Sequence, residues 1–201
     1  IYDAKSGIKI KSGGATLEFV HSSKNYSADN EDSVMTYIDY GNLEVLLTGD
    51  AENGTEAAAK KYNVDVLQMP HHGSAGSSSS AFIKRFDPEK VIISTDGKKY
   101  GHPSAAAINR YKNYDKNIDV YRTDRNGNIV IYANGSKWWF KTSKNSSQKI
   151  TDTKPGNSST SSSNSSSNTA TKYVYVSSTN KYHKTSKSCN MKSSKKMTLT
   201  S

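Results

Sequence analysis

The chain has 201 residues, of which 33% are hydrophobic, and its formal net charge is +10. This low apolar content predicts one packed unit near the N-terminus, followed by a tail that packs poorly. Cys189 is the only cysteine, so an internal disulfide framework is excluded. The sequence holds no run of 18 apolar residues, so no transmembrane segment is predicted in this chain.

The positive charge is concentrated at the C-terminal end. Residues 1–140 hold 17 Lys and Arg against 17 Asp and Glu, whereas residues 141–201 hold 11 Lys and one acid, Asp152. This asymmetry predicts that any attraction to a polyanion, such as DNA, teichoic acid or anionic lipid, comes from the basic tail. A solvated tail without a partner fits the same charge pattern equally well.

Apolar periodicity predicts an α/β fold. Alternating patterns and short apolar runs predict strands at residues 14–20, 33–40, 43–48, 64–69, 90–95, 118–123 and 128–132. Capping residues and helix-forming composition predict helices at residues 56–62, 80–86 and 104–114. An antiparallel hairpin at Gly41-Asn42, followed by alternating helices and strands, is typical of layered α/β domains.

Three polar clusters each follow the end of a predicted strand. They are Thr48-Gly49-Asp50, His71-His72-Gly73-Ser74 and Tyr100-Gly101-His102-Pro103. Strands that run in the same direction bring such loops to one edge of a sheet, where ligands bind in α/β proteins. Three of the five histidines of the chain lie in these loops, and this clustering predicts a functional site rather than core packing.

Asp and His together suit zinc, manganese or iron that is bound through nitrogen and oxygen. A carboxylate can bridge two metal ions about 3.5–4 Å apart, which is the separation used in two-metal hydrolysis. The three loops therefore predict a hydrolytic metal site.

The order and spacing of these motifs resemble the metallo-β-lactamase superfamily. The resemblance covers about residues 14–133 and also includes Asn30-x-x-Ser33-Val34, Asp65-Val66-Leu67 and Tyr121-Arg122-Thr123-Asp124. Within this superfamily, the motifs are most similar to those of the C-terminal domain of ComEC-type competence DNA-uptake proteins and of related exported hydrolases. The resemblance implies that the chain holds the C-terminal half of an αββα metallo-β-lactamase sandwich.

The resemblance also implies roles for the polar residues. Asp50 matches the bridging carboxylate, and His102 matches the last metal-binding histidine. His71 and His72 match the catalytic pair, of which one ligates a metal and the other binds or protonates the leaving oxygen. The implied cofactors are two divalent metal ions, zinc or manganese, and the implied reaction is hydrolysis of a phosphodiester in DNA or in a cell-envelope polymer.

Four further residues are candidates for substrate binding. Glu52 either contacts substrate or starts a helix, and its place in a first helical turn favours the second interpretation. Asn30 and Ser33 either line the site or close a turn, with equal support. Ser74 belongs to a Ser-rich segment, continued at Ser77–Ser80, that is predicted to be a flexible rim of the site. These serines either contact substrate or only fill the loop, and their composition favours the second interpretation.

The N-terminal metal-binding motif of the superfamily, His-x-(His/Asp)-x-Asp-His, is absent from this chain, which opens with Ile1. The chain is therefore expected to be a piece of a longer protein that binds metal weakly and is inactive alone. His21 is a further candidate ligand, although a surface histidine fits its spacing better. The alternatives to an enzyme are a non-catalytic DNA-handling module and a cell-wall-binding protein, and the expected location is extracellular or at the cell surface.

The C-terminal third is predicted to hold separate segments. The expected division is a metallo-β-lactamase-like domain at 1–140, a Ser/Asn/Thr-rich flexible linker at 141–171 and a basic tail at 172–201. A strand is predicted at Tyr173–Val176. His183 and Cys189 look like the opening of a small Cys/His module, but two ligands alone make no zinc site, and a disordered tail fits as well.

Overall fold

A computed structural model describes residues 4–20, 26–144, 148–149, 173–177, 182–183 and 194–198. The chain divides into two compact units, Ile1–Asp152 and Thr153–Ser201. The first unit contains ten strands within the described residues: β1 (Lys9–Ser12), β2 (Ala15–Val20), β3 (Met35–Tyr40), β4 (Leu43–Leu47), β5 (Val66–Gln68), β6 (Lys90–Ile93), β7 (Asp119–Arg122), β8 (Ile129–Ala133), β9 (Trp138–Thr142) and β10 (Gln148–Lys149). Its α-helices are α1 (Asn53–Ala58), α2 (Ser80–Phe86), α3 (Ala105–Tyr114) and α4 (Thr123–Asn126).

Eight of the described strands form one mixed sheet in the order β1-β2-β3-β4-β5-β6-β7-β10. Strands β1 to β4 are joined as antiparallel hairpins, whereas β4, β5, β6 and β7 are parallel neighbours. Helices α1, α2 and α3 lie in the three connections between the parallel strands. The carboxyl ends of β4, β5 and β6 therefore meet at one edge of the sheet.

One face of the sheet packs against the helices. Phe82, Ile83 and Phe86 of α2 and Tyr111 of α3 are almost completely buried in this core. The strands contribute a further buried set: Leu46, Leu67, Val91 and Ile93. Capping positions the two longer helices, because Ser79 accepts a hydrogen bond from the Phe82 amide and Ser104 accepts one from the Ala107 amide.

The opposite face is covered by the β8–β9 hairpin, which forms a sheet of its own. Ile131, Trp138 and Phe140 pack over Val45 and Val66 of the main sheet. The first unit thus has a helical layer, a mixed sheet and a second small sheet. This α/β architecture confirms the predicted fold class.

Helix α1 differs from its prediction at both ends. It was expected at residues 56–62 with Thr55 as its cap, but it spans Asn53–Ala58 and the Thr55 hydroxyl donates to the Glu31 carbonyl instead. Arg85 donates to the carbonyls of Glu56, Ala57 and Ala59. These bonds satisfy carbonyls at the C-terminal end of the helix, which ends there although its sequence favours continuation.

The second unit is described only by its backbone strands. The described residues form an antiparallel sheet in the order β12-β11-β13, from β11 (Tyr173–Ser177), β12 (Tyr182–His183) and β13 (Ser194–Thr198). Strand β11 coincides with the strand predicted at Tyr173–Val176. Most of the predicted linker, and both His21 and Cys189, lie outside the described residues, so the division proposed from composition stays a prediction. No helix in the described part of the chain is long and apolar enough to cross a membrane.

Candidate active site

The three polar loops lie side by side at the carboxyl edge of the parallel strands. Asp50 follows β4, His71 and His72 follow β5, and His102 lies in the connection after β6. The loops are joined directly, because the His71 amide donates to the Gly49 carbonyl at 3.0 Å. The Ser104 amide donates in the same way to the Gly73 carbonyl at 2.8 Å.

The four predicted site residues come together in this arrangement. The ring centroid of His71 lies 6.3 Å from that of His72 and 5.3 Å from that of His102. The Nε2 atom of His72 lies 3.6 Å from Oδ1 of Asp50. One carboxylate and three imidazoles therefore share a small volume, as the positions of the loops in the sequence predict.

The Nε2 atom of His72 faces the carboxylate of Asp50. Its Nδ1 atom lies 2.7 Å from the Ser94 carbonyl oxygen, which can only accept, so Nδ1 carries the proton. In the neutral ring Nε2 is then an acceptor that faces another acceptor at 3.6 Å. Two ligands of a tetrahedral zinc ion, with bonds of about 2.0–2.1 Å, lie about 3.3 Å apart. The pair is thus spaced to share a cation.

A hydrogen bond to a carboxylate orients the ring of His71. Its Nδ1 atom donates to Oε1 of Glu52 at 2.8 Å, and the Ser74 hydroxyl donates to the same oxygen at 2.8 Å. Such outer contacts are typical of metal-binding and catalytic histidines, because they fix the tautomer and the ring orientation. Glu52 does occupy the residue before α1, but its side chain makes no capping bond. Its side chain therefore serves the site rather than the helix.

His102 has a buried nitrogen without a partner. Among the described residues, its Nδ1 atom is buried and makes no hydrogen bond, while Thr95 donates to its backbone carbonyl at 3.2 Å. An unpaired polar atom in such a place points to a ligand, a water molecule or an ion. The pKa of His102 is lowered by burial first and then by the nearby His71 and His72.

The backbone at the double histidine is strained. His71 and His72 have φ angles of 47° and 53°, in the left-handed region that residues other than glycine rarely adopt. Each such residue costs on the order of 1–3 kcal/mol, and strain of this kind concentrates at functional sites. The strain is maintained by the hydrogen bonds of both rings.

These features fit part of a metal centre. Asp50 with His72 offers two donors at a suitable separation, and His102 offers an unpaired nitrogen. However, no group of three or more His, Cys, Asp or Glu side chains within residues 4–20 and 26–144 is arranged to hold an ion. The donor set of the described loops is therefore chemically suitable but incomplete.

Ser33 and Asn30 support the site from the neighbouring hairpin. The Ser33 hydroxyl accepts a hydrogen bond from the Asp50 amide at 3.2 Å, so it positions the loop that carries the carboxylate. Asn30 lies in the 3-10 turn Asp29–Asp32, and its carbonyl accepts from the Ser33 amide at 3.2 Å. Of the two interpretations left open by the sequence, closing a turn describes Asn30 better.

The prediction of a flexible serine rim is wrong. Ser77 and Ser78 are completely buried, and Ser74 is nearly so. The carboxylate of Glu56 accepts from the amides of Ser78 and Ser79, and burial raises the pKa of this carboxyl although those bonds lower it. A run of serines has the composition of a loop, but here small polar side chains fit a tightly bonded turn.

A cleft of about 380 Å³ opens beside the histidines. Its lining residues are His72, Ser94, Thr95, Asp96, Lys99, Tyr100, His102 and Thr123. Thr95, Asp96 and Lys99 were not predicted as site residues, because they follow β6 and carry no motif of their own. Their position just after a buried strand is the signal that would have found them.

The fold and this site define an α/β domain with one carboxylate and three imidazoles at the carboxyl ends of its parallel strands. Comparison with known proteins then identifies its relatives. The chain is 32% identical over 108 residues to "ComE operon protein 3" of Bacillus subtilis, a match that covers 51% of this chain and 14% of that protein. It is 38% identical over 99 residues to "Recombination protein 2" of Haemophilus influenzae, covering 46% of this chain and 13% of that protein.

A third relative is "Competence protein ComA" of Neisseria gonorrhoeae, with 33% identity over 121 residues that cover 57% of this chain and 17% of the relative. These similarities confirm the resemblance to the ComEC-type competence proteins. The chain spans less than a fifth of the length of each of these relatives. No protein-family model matches the chain.

A solved structure from Parabacteroides distasonis, named as a metal-dependent hydrolase, superposes with a TM-score of 0.40 and 16% identity. The superposition covers 59% of this chain and 56% of that chain, and a similarity this low carries no functional argument.

Proposed function

We propose that this domain is a metal-dependent phosphodiesterase that cleaves DNA during its uptake. The observation that carries the proposal is the pair Asp50 and His72, whose oxygen and nitrogen face each other at 3.6 Å while the other nitrogen of His72 is fixed on a backbone carbonyl. Two divalent ions, zinc or manganese, are the proposed cofactors. Bound ions of this kind activate a water molecule and stabilise negative charge on phosphoryl oxygens.

The proposed roles follow from the contacts of each ring. Asp50 and His102 ligate metal, and His72 joins them because its Nε2 faces Asp50. His71 is assigned to the leaving oxygen, since Glu52 accepts from its Nδ1 and orients the ring. A protonated His71 can then donate from Nε2 to the leaving group as a general acid.

The names of the relatives support DNA as the substrate, since they describe competence and recombination proteins. A cell-envelope polymer is the other phosphodiester that this chemistry would accept. A cell-surface or extracellular location, with the basic tail bound to a polyanion, belongs to the same proposal. These two points are supported by the positive charge of residues 141–201, which hold 11 Lys and one acid.

The test is an assay of DNA hydrolysis by the full-length protein with manganese or zinc. Asp50→Ala and His102→Ala are each expected to lower kcat by at least about 100-fold, in line with the loss of a group that stabilises the transition state. Asp39→Ala is the matched control, because Asp39 is an exposed carboxylate paired with Glu44 at the opposite end of β4. Unchanged hydrolysis in the Asp50 and His102 variants contradicts the assignment of the site.

A second candidate function is DNA handling without hydrolysis. The observation that favours it is the lack of a three-ligand group among residues 4–20 and 26–144. In this case the full-length protein binds DNA, releases no nucleotides with either metal, and binds equally well after Asp50→Ala. Metal-dependent cleavage that requires Asp50 excludes this alternative.

A further inference from the structure

One feature of the cleft is unexplained by hydrolysis: a large aromatic ring stands exposed on its rim. The side chain of Tyr100 is 79% exposed, more than any other large hydrophobic residue of the described chain. Its ring centroid lies 6.2 Å from that of His102. The ring therefore borders the reacting groups without being buried by the protein.

A lysine accompanies this ring. The Nζ atom of Lys99 lies 5.0 Å from the Tyr100 ring centroid, within the range of a cation–π contact. The contact uses one face of the ring and holds a positive charge at the mouth of the cleft. An aromatic face beside a cation is the combination by which proteins hold single-stranded nucleic acid: the ring stacks on a base and the cation contacts the backbone.

The loop that carries the pair is fixed. The carboxylate of Asp96 accepts from the amides of Lys98 and Lys99, at 2.9 Å each, and these bonds lower its pKa. The Thr95 hydroxyl accepts from the Gly97 amide at 2.9 Å and donates to the His102 carbonyl at 3.2 Å. One hydroxyl therefore links Gly97 and His102, the residues on either side of the segment that carries Lys99 and Tyr100.

The cleft also has the size of a small ligand site. Its volume of about 380 Å³ lies near the lower end of the range for such sites, roughly 300–1,000 Å³. Ser94, Thr95 and Asp96 line it together with His72 and His102. A single nucleobase with its sugar is the unit that suits this size and mixed lining.

We propose that Tyr100 stacks on a base of single-stranded DNA next to the phosphodiester bound at the histidines, with Lys99 contacting the backbone. This inference rests on the proposed function for the identity of the substrate, and it adds strand type and a specificity-determining residue. Since every base has a flat face, the stacking is tolerant of sequence. Duplex DNA, whose bases are already stacked on one another, is excluded from the same contact.

The experiment measures binding of a fluorescent eight-residue oligothymidylate to the intact chain by anisotropy, with EDTA present so that no hydrolysis occurs. Tyr100→Ala is expected to weaken binding about 5- to 100-fold, the loss typical of one base–aromatic contact. Tyr100→Phe retains the ring and is expected to bind within about twofold of the wild type, since stacking depends on the ring face rather than the hydroxyl. The binding is repeated at high salt to suppress the contribution of the basic tail.

The matched control is Tyr132→Ala. Tyr132 is also exposed and also has a lysine over its ring, with Nζ of Lys141 at 5.3 Å from the centroid, but it lies on the β8–β9 hairpin. This variant is expected to bind like the wild type. Equal losses in Tyr132→Ala and Tyr100→Ala overturn the proposal, because they indicate a general effect of exposed aromatics.

An abasic oligonucleotide completes the test. Moving one abasic site along the strand is expected to weaken wild-type binding at one position and to leave Tyr100→Ala unaffected at that position. A poly(glycerol phosphate) chain, which has no bases, is expected to bind wild type and Tyr100→Ala equally. If Tyr100→Ala weakens binding of that polymer as much as that of the oligonucleotide, the base-stacking proposal is wrong.

The two proposals fail in different ways. Normal DNA hydrolysis in the full-length protein together with unchanged oligonucleotide binding by Tyr100→Ala refutes the stacking alone. Ring-dependent binding without hydrolysis under any metal refutes the proposed function and retains single-strand recognition by the cleft.

Discussion

Glu52 connects the histidine pair to the body of the domain. Its carboxylate accepts from both His71 and Ser74 at 2.8 Å, so it fixes the orientation of the His71 imidazole. A fixed ring orientation is what the proposed general acid requires, because proton transfer depends on geometry. The contact is therefore expected to govern rate rather than folding.

Replacement of Glu52 separates these effects. Glu52→Ala is expected to lower kcat for DNA hydrolysis by about 10- to 100-fold, the usual loss when an outer partner of a site histidine is removed. Glu52→Gln retains an acceptor oxygen but no charge, so it is expected to lie between the wild type and Glu52→Ala. The measurement is steady-state hydrolysis by the full-length protein, and an unaltered kcat in both variants would show that the contact has no catalytic role.

His102 is expected to make the free energy of unfolding of the domain depend on pH. Burial and two neighbouring imidazoles place the pKa of His102 below its ordinary value of about 6.5. The unfolded chain therefore binds a proton more readily than the folded domain does. The free energy of unfolding must fall as the pH drops below about 6.5 towards the folded pKa, since acid favours the state that binds the proton.

This dependence is measurable by urea unfolding of the chain at pH 7.5 and pH 5.5 with a chelator present. His102→Gln has no titrating ring, so its loss of stability between the two pH values is expected to be smaller than that of the wild type. An equal loss in both proteins would mean that residue 102 does not contribute to the acid sensitivity.

In the β8–β9 hairpin, the two faces of strand β9 make different contacts. Phe140 faces inward, where its ring stacks on Tyr121 with centroids 4.9 Å apart, while Trp139 faces outward and stacks on Tyr132 at 5.6 Å. The alternation of a strand places neighbouring residues on opposite faces. The inward face closes the smaller core over Val45 and Val66.

The two faces are expected to differ in their contribution to stability. Phe140→Ala removes an inward ring and is expected to lower the free energy of unfolding by about 2–4 kcal/mol, near the lower end for Phe to Ala changes because the side chain is only partly buried. Trp139→Ala, whose ring is 44% exposed, is expected to cost about 0.5–1.5 kcal/mol, the energy of a surface aromatic pair. Urea unfolding checks both, and a larger loss in Trp139→Ala would contradict this view of the hairpin.

The elements that the sequence predicts well are those whose apolar pattern decides their burial. The parallel strands and helices α2 and α3 have such patterns, and each is found within a few residues of its predicted position. Strand β1 was not predicted because its four residues, Lys9–Ser12, are exposed and form the edge of the sheet. Helix α1 was misplaced at its C-terminal end, where Arg85, distant in sequence, donates to the last carbonyls.

The same distinction holds for the site. The clustering of Asp50, His71, His72 and His102 is predictable, since strand direction and loop position bring them together. The function of Glu52 and the rigidity of Ser77 depend on contacts with residues about 20 positions away or on hydrogen bonds within a buried turn. The sequence pattern predicts a helix start for Glu52 and a loop for Ser77, because it contains no information about their hydrogen-bond partners.

The positive charge of the chain is concentrated in the second compact unit, so deletion of this unit tests the role of the basic tail. The second unit begins at Thr153, and residues 153–201 hold eight Lys and no acid. Deletion of this unit leaves the strands of the first unit intact, whereas a deletion from residue 141 would truncate β9 and remove β10.

Removal of residues 153–201 is expected to weaken DNA binding and to reduce its salt dependence. The slope of log K against log salt concentration should fall in magnitude by about 0.7–0.9 for each lysine that contacts a phosphate. Anisotropy titrations at salt concentrations of about 50 to 300 mM measure this slope. An unchanged slope would assign the tail to solvation only.

Arg110 extends the influence of the site to the outer layer of the domain. On α3, its guanidinium donates to the carbonyls of Ala75, Ser77 and Ser78, and so clamps the turn that begins at Ser74. Ser74 in turn shares the Glu52 oxygen that orients His71. A displacement of α3 would therefore be transmitted through this serine turn to an imidazole of the proposed site, so a ligand bound to the helical face is expected to alter the proposed activity.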